Sequence, residues 1–176
     1  LPKFRDGWVS AFVLTEMNGG SEPANLQTEA VQNEDGTWTL NGEKLWCTNG
    51  VVADVIVVMA KTGTKKVGSR EISRISAFIV ETRLAGVEVL HRCRFMGIRA
   101  IENGLIRFTN VQLGEDSLIG GEGNGLKLAL ATLNDGRLSI PAIAAAAGEE
   151  LTEFSARWAK TRSQWGKKIG LHENGS

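Results

Sequence analysis

The sequence contains few of the residues that build metal sites and disulfide frameworks. Its 176 residues include two cysteines, Cys47 and Cys93, and two histidines. The cysteines lie far apart and match no zinc-ligand spacing, so the sequence predicts no metal site. A disulfide between them is compatible with the sequence, but two free thiols in a reducing compartment fit it equally well.

Net charge and long hydrophobic runs are also lacking. Twenty basic residues balance twenty acidic ones, which leaves no electrostatic footprint for nucleic acid or an anionic membrane. The longest apolar runs, VIVVMA and PAIAAAAG, are too short to span a membrane. The chain is 42% hydrophobic and 23% charged, a composition typical of one globular domain. Because the sequence begins without Met, we expect it to be a piece of a longer protein.

The first two thirds of the sequence are rich in β-branched and aromatic residues, with Gly, Asn, Asp and Ser between the runs. This pattern predicts an all-β sandwich or barrel. The polar segment Thr62–Glu71 is interpreted as a loop at a hairpin tip. The predicted strands are Trp8–Glu16, Thr37–Leu40, Ala53–Lys61, Arg74–Thr82, Gly86–Phe95 and Gly104–Leu113.

The pattern changes to a helical one at Gly125. From there to Arg162 the sequence is rich in Ala and Leu, and its apolar residues recur at helical spacing. Pro141 is expected to kink or break this helix, since it removes one backbone hydrogen bond. The fold class is therefore mainly β, a barrel or sandwich domain followed by a long helix whose apolar face needs a partner.

The stretch LNGEKLWCTNG raises the question of a ligand site. Asn41-Gly42 and Asn49-Gly50 both resemble turn pairs, so the residues between them are predicted to form a short strand. Trp46 and Thr48 are two apart on that strand and should share one face. That face is either a packed core or an aromatic wall with a hydroxyl beside it for a ligand.

Three further segments have both a structural and a functional interpretation. The loop Leu14–Asn25 carries paired glycines and Ser21, and is either an ordinary turn or a close approach to a ligand. The segment Gly120–Gly125 resembles a phosphate loop but lacks the G-x-G-x-x-G spacing, so a flexible lead-in to the helix is the alternative. Asn134 and Arg137 share a helix face that is either solvated or substrate-binding.

Taken together, four segments resemble the acyl-CoA dehydrogenases. AFVLTEMNGGSEPA, LNGEKLWCTNG, LNDGRLSIPA and AKTRSQWGKKIGLHE occur in the order and at the spacings of that family. The resemblance implies a β-barrel-like middle domain, 1–122, followed by the start of the C-terminal four-helix bundle, 123–176. It also implies FAD as the cofactor and acyl-CoA as the substrate.

The resemblance assigns roles position by position. Trp46 corresponds to the tryptophan beside the flavin and Thr48 to the threonine whose hydroxyl bonds the flavin N5 region. The FAD-binding positions so implied are Phe12, Leu14, Thr15, Ser21, Trp46 and Thr48, with Arg162 and Trp165 reaching the FAD of a neighbouring subunit. The implied acyl-CoA contacts are Ser21, Asn134 and Arg137. The glycines of the Ser21 loop are expected to make it looser than usual.

The reaction implied is the oxidation of acyl-CoA to trans-2-enoyl-CoA, with an electron-transferring flavoprotein as the acceptor. No glutamate here matches the family's base, so no catalytic residue is assigned and the isolated chain is expected to be inactive. The complete protein is expected to be a dimer or tetramer in the bacterial cytoplasm or the mitochondrial matrix. The alternatives are an acyl-CoA oxidase or flavin monooxygenase of the same fold, or a non-catalytic binding or assembly module.

Overall fold

The computed structural model describes residues 7–172, in which one curled eight-stranded sheet precedes a long helix. Most of the strands coincide with the β-branched runs, as expected for residues that pack well on a pleated surface. The strands are β1 (Ser10–Val13), β2 (Glu29–Gln32), β3 (Trp38–Thr48), β4 (Val55–Val67), β5 (Arg70–Glu81), β6 (Val87–Arg92), β7 (Asn103–Leu113) and β8 (Leu118–Ile119).

The sheet is mostly antiparallel, in the order β6-β7-β3-β2-β4-β5-β8. Strand β4 also pairs in parallel with β1, in the register Ser10 to Val55, and with β2 at Glu29 and Lys61. The mainly β fold class predicted from the sequence is confirmed. Short 3-10 turns connect the strands at Pro23–Asn25 and Glu115–Ser117.

Alternation along the strands produces a separate apolar cluster on each face of the sheet. On β4, Ile56 and Val58 belong to the larger cluster, and Met59 belongs to the smaller one. Phe78 of β5 is fully buried in the larger cluster. Ala129, in the first turns of the helix, completes the smaller cluster, so the start of the helix covers that face.

Two parts of the sheet differ from the sequence prediction. The segment Thr62–Glu71 is not a loop, because β4 and β5 stay paired as far as Val67 and Arg70. Its polar side chains are largely exposed, so the backbone ladder continues without an apolar face. Strand β2 was not predicted, since its sequence EAVQ is short and polar at both ends and buries only Ala30.

The long helix α1 spans Gly125–Thr161, close to its predicted extent. Pro141 lies inside it without breaking it. No helix within residues 7–172 is long and apolar enough to cross a membrane. Described residues up to Leu130 form one compact unit, and those from Ala131 form a second. The predicted domain boundary, between residues 122 and 123, stays a prediction.

The second unit ends in a small hairpin. After α1, β9 (Ser163–Gln164) pairs with β10 (Lys167–Lys168), and a 3-10 turn, Ile169–Leu171, follows.

The glycine-rich segment before α1 is a tight junction, not the flexible lead-in that the sequence suggested. The amide of Gly123 donates to Ser76 Oγ at 2.9 Å, and Glu122 pairs with Arg74. Because the Ser76 hydroxyl already accepts the hydrogen of the Gly123 amide, that amide is not free to bind a phosphate, and the structure does not favour a phosphate loop. Gly125 packs so closely on β5 that an added Cβ would lie 2.4 Å from the Ser76 carbonyl carbon.

We therefore expect Gly125→Ala to destabilise the fold, by about 1–3 kcal/mol, because a rigid strand backbone cannot move aside. Gly136→Ala is the matched control in the same helix, since nothing lies within 4 Å of its Cβ position. That variant should be stabilised by up to about 1 kcal/mol through helix propensity. Urea unfolding of both variants tests the pair, and equal effects would contradict the close-packing argument.

Candidate functional site

A β-bulge in β3 determines which way Trp46 and Thr48 point. Lys44 pairs with Ile106 and Cys47 pairs with Gly104, so two residues of β3 lie opposite one residue of β7. Trp46 is one of the two and has a left-handed φ of 59°. Because the extra residue reverses the alternation, Lys44 and Cys47 are both fully buried, while Trp46 is 53% exposed and Thr48 is exposed as well.

The two turn pairs of the LNGEKLWCTNG stretch have different outcomes. Asn49–Gly50 is a turn, closed by the Gly50 amide on the Cys47 carbonyl at 2.9 Å. Asn41-Gly42 is not a turn, and the prediction was wrong: both residues lie inside β3. Gly42, at φ 142°, is required because an added Cβ would lie 2.7 Å from the Cα of Thr28.

Thr48 lines an open apolar groove, and the Trp46 ring packs on Phe95, which forms part of its wall. The Trp46 ring lies against Phe95, with centroids 5.7 Å apart and planes inclined by 31°. Ile98, on the loop across the groove, is 75% exposed and also has a left-handed φ, 49°. Such backbone conformations in bulky residues concentrate at functional sites. The groove has a volume of about 400 Å³ and is lined by Thr48, Phe95, Gly97, Ile98, Ile101 and Asn103.

Asn103 is a residue of this site that the sequence analysis missed. It begins β7 opposite Thr48, and its Nδ2 donates to Thr48 Oγ1 at 3.1 Å. The side chain is buried, and its Oδ1 has no hydrogen-bond partner among the described residues. The available signal was an Asn at the start of a strand, but Asn103-Gly104 resembles a turn pair, and 55 residues separate it from Thr48.

The Ser21 loop is closed more tightly than its glycines suggested. Glu16 and Gly19 exchange two backbone hydrogen bonds, of 3.0 and 3.2 Å, across Met17 and Asn18. Gly20 then approaches Thr15, whose Cγ2 would be 3.2 Å from an added Cβ. Ser21 follows with its side chain exposed, so its hydroxyl is accessible to a ligand.

A buried ion pair anchors this loop beneath the bulge. Lys44 Nζ lies 2.8 Å from Glu16 Oε1 and donates to the Leu14 carbonyl at 3.0 Å. Glu16 also accepts the amides of Gln27 and Thr28, at 2.6 and 2.9 Å. The exposed fractions of the Lys44 and Glu16 side chains are 0% and 8%.

The protonation of this pair reflects two opposing effects. Burial alone would raise the pKa of Glu16, but hydrogen bonds, above all from Lys44, outweigh it and lower that pKa. Burial lowers the pKa of Lys44, and the Glu16 carboxylate partly opposes that shift. A carboxylate held charged in this way is structural, and nothing favours Glu16 as a base.

Phe12, Leu14 and Thr15 have different environments. The side chains of Phe12 and Leu14 are partly buried against the smaller apolar cluster. The Thr15 carbonyl accepts the amide of Leu45 at 3.0 Å, which ties this segment to the β3 bulge. The implied FAD contacts of all three stay predictions.

The remaining predicted positions lie in the second unit. Arg137 NH1 donates to Asn134 Oδ1 at 3.0 Å on the exposed surface of α1. Arg162 follows the helix and accepts the Ile169 amide on its carbonyl at 2.9 Å. Trp165, at the hairpin turn, is 86% exposed, with its ring edge-on to His172 at 5.7 Å. The binding roles of these residues stay predictions.

The thiols offer no chemistry to the site. Cys47 and Cys93 are both free and buried. Burial raises the pKa of Cys47 to about 12 and also raises the pKa of Cys93. Within the part of the chain that the structure describes, no group of three or more His, Cys, Asp or Glu could hold a metal ion.

Two family models match the chain. The acyl-CoA dehydrogenase middle domain matches residues 11–111, and the acyl-CoA dehydrogenase C-terminal domain matches residues 123–175. The first match contains the bulge, the groove and the Ser21 loop. The second contains the whole of α1 and the terminal hairpin.

Named relatives agree with these models. The chain is 48% identical over 174 residues to the probable acyl-CoA dehydrogenase FadE10 of Mycobacterium bovis and Mycobacterium tuberculosis, covering 98% of this chain and 26% of theirs. The structure of butyryl-CoA dehydrogenase from Megasphaera elsdenii is similar, with 34% identity, a TM-score of 0.85, and coverage of 98% and 44%. An FAD complex of acyl-CoA dehydrogenase from Bacillus anthracis has 32% identity, a TM-score of 0.79, and coverage of 92% and 27%. The chain thus spans about a quarter of the length of the FadE10 relatives.

Proposed function

Because the chain belongs to the acyl-CoA dehydrogenase family, we propose that it is the FAD- and acyl-CoA-binding part of an enzyme oxidising acyl-CoA to trans-2-enoyl-CoA. The observation that carries this proposal is the bulge in β3. It turns an indole ring and a hydroxyl out of the sheet, beside a groove, where strict alternation would have buried both.

The described residues suit a flavin. An extended aromatic ring system needs an apolar wall, and the exposed Trp46 ring provides one. A flavin also needs a few placed polar groups, because the protein's contribution is orientation and electrostatics. Thr48 Oγ1 is such a group at one edge of the groove, and the side-chain amide of Asn103 holds it in place. FAD, when bound, supplies the acceptor for the hydride removed from the substrate.

The chain's own residues bind and orient in this proposal. Trp46 excludes water from one side of the ring system, and the Thr48 hydroxyl donates a hydrogen bond to it. Ser21 contacts both FAD and the CoA arm, and Asn134 and Arg137 contact the CoA portion. Arg162 and Trp165 bind FAD held by a second copy, so the active protein is proposed to be a homo-oligomer.

No residue of the chain is proposed as the catalytic base. Glu16 is held by Lys44 and two backbone amides, and Glu102 pairs with Arg92 at 2.5 Å. Neither carboxylate lines the groove beside Thr48. We propose that the base lies outside this chain, that an electron-transferring flavoprotein is the acceptor, and that the enzyme works in the bacterial cytoplasm or mitochondrial matrix.

The test is anaerobic titration of the complete protein with saturated acyl-CoA thioesters of increasing chain length. We expect stoichiometric FAD and bleaching of its visible absorbance by at least one thioester, with enoyl-CoA as the product. An electron-transferring flavoprotein should then restore the colour faster than oxygen does. The isolated chain should give no turnover, since loss of a general base costs about 10²–10⁴-fold.

Other outcomes identify the alternatives. Rapid reoxidation by oxygen with stoichiometric peroxide would indicate an acyl-CoA oxidase. Oxygen incorporation into a product would indicate a monooxygenase. A complete protein that holds no flavin and turns over no thioester would be a binding or assembly module, and the proposed function would be wrong.

A further inference from the structure

Asn103 is held rigidly at the junction of three segments. Its backbone amide donates to the Ile101 carbonyl at 3.1 Å, and its backbone carbonyl accepts the Cys93 amide at 2.8 Å. Asn103 is 4% exposed, and its side chain reaches across the β3–β7 ladder to Thr48. The backbone bonds therefore fix where the side-chain amide can lie.

The hydrogen bond from Asn103 determines what the Thr48 hydroxyl can do. A hydroxyl has one hydrogen to donate and two lone pairs to accept with. Thr48 Oγ1 accepts the Asn103 Nδ2 hydrogen at 3.1 Å, and no acceptor for its own hydrogen is found among the described residues. Because Thr48 lines the groove, that hydrogen remains available to a ligand there.

The other half of the Asn103 amide is unsatisfied. Its Oδ1 is buried and has no hydrogen-bond partner in the described part of the chain. Buried side-chain oxygens in native proteins nearly always have a partner, so an exception requires an explanation. Asn103 lines the groove, so this buried oxygen lies close to the ligand site beside Thr48. Neither a carboxylate nor an aliphatic side chain could both donate to Thr48 and offer this acceptor.

We infer that Asn103 is a positioning residue, which orients the Thr48 hydroxyl as a hydrogen-bond donor toward FAD. The inference rests on the proposed function, since FAD is the ligand. A donor held in this way stabilises negative charge, which reduced FAD carries more of than oxidised FAD does. The effect should therefore appear in the relative affinity for reduced and oxidised FAD, not in activity alone.

The experiment uses the complete protein with FAD and compares Asn103→Leu, Asn103→Asp, Thr48→Val and the Asn103→Leu/Thr48→Val double variant. Leucine approximates the shape without polar atoms, and aspartate keeps the acceptor while losing the donor. We expect each Asn103 variant to lower the ratio of reduced to oxidised FAD affinity about three- to tenfold. At 29.6 mV per tenfold for a two-electron couple, the midpoint potential falls by about 15–30 mV.

The double variant separates positioning from a merely structural role. If Asn103 acts through the Thr48 hydroxyl, adding Asn103→Leu to Thr48→Val should lower the potential no further. An unchanged potential in Asn103→Leu, or an effect that adds fully to that of Thr48→Val, would overturn the inference. Asn103→Ala, which adds neither bulk nor charge, replaces any variant whose thermal unfolding shows loss of the fold. Failure of the wild-type protein to bind FAD would instead refute the proposed function.

Discussion

Glu16→Gln is expected to destabilise the protein by about 3–5 kcal/mol, because it leaves the Lys44 charge buried without a counter-charge. The Lys44 side chain has no solvent exposure, so water cannot replace the carboxylate. Two backbone amides, of Gln27 and Thr28, also lose a charged acceptor. Chemical unfolding of the complete protein, with the slope checked for two-state behaviour, measures this loss.

Two controls make the result specific. Glu43→Gln removes a neighbouring ion pair with Arg107 whose side chains are 38% and 45% exposed, and it should cost less than about 1 kcal/mol. Adding Lys44→Met to Glu16→Gln should recover most of the loss, since the unpaired charge disappears. If Glu16→Gln and Glu43→Gln prove equally mild, the buried pair does not stabilise this loop.

The same pair predicts acid sensitivity. The folded-state pKa of Glu16 lies below its ordinary value of 4.5, because hydrogen bonds from Lys44, Thr28 and Gln27 outweigh burial. The stability that the carboxylate contributes is therefore fully present above that value and is lost as pH falls through the folded pKa. The stability difference between wild type and Glu16→Gln should shrink over that window.

Thr48→Val is expected to slow FAD reduction in the complete protein by about tenfold while leaving FAD content close to wild type. Valine keeps the branched shape at an exposed strand position, so the fold should hold. The lost hydroxyl matters most when the bound ring carries charge, so it affects the transition state more than the ground state. The loss should be smaller than the 10²–10³-fold seen at dedicated oxyanion holes, because the ring delocalises that charge.

Trp46→Ala should show the opposite balance. The Trp46 ring is half exposed and packs on Phe95, so its removal costs the fold little but removes the wall for the cofactor. FAD affinity should fall about tenfold or more, with a near-normal reduction rate in the fraction that remains loaded. Trp46→Phe, which keeps a flat ring, should retain most of the affinity. Rapid-mixing measurements of FAD reduction and of FAD content on both variants test this contrast. If Thr48→Val reduces FAD at the wild-type rate, Thr48 is only a structural residue of the strand.

Runs of β-branched residues made much of the fold predictable. Val55–Val58 and the strand around Ile106 and Phe108 pack on a sheet face that requires such residues, so pattern and structure agree. The long helix was predictable as well, because its leucines recur at helical spacing. Pro141 suggested a break in the helix, but the loss of one backbone hydrogen bond does not end a helix that continues for twenty residues beyond it.

Residues that tolerate positive φ were harder to interpret. Asn41-Gly42 has the chemistry of a turn, yet Gly42 serves the close approach of Thr28, and Asn41 Oδ1 accepts the Asn110 amide at a bulge of β7. The shared face of Trp46 and Thr48 followed from alternation, but its outward direction depends on pairing with β7. The Asn103–Thr48 contact depends on the same pairing, which no local pattern contains.

The extra residue in β3 makes the site sensitive to strand register as well as to side-chain chemistry. If β3 paired with β7 at its full length without the bulge, strict alternation would bring Trp46 and Thr48 inside and leave Cys47 outside. Deleting Leu45 would have a different result: Lys44 and Cys47 would then be two apart and both stay inside, with Trp46 and Thr48 still outside. An alignment with a relative that lacks the bulge therefore needs its gap at this point, because a gap elsewhere in β3 compares inward-facing positions with outward-facing ones.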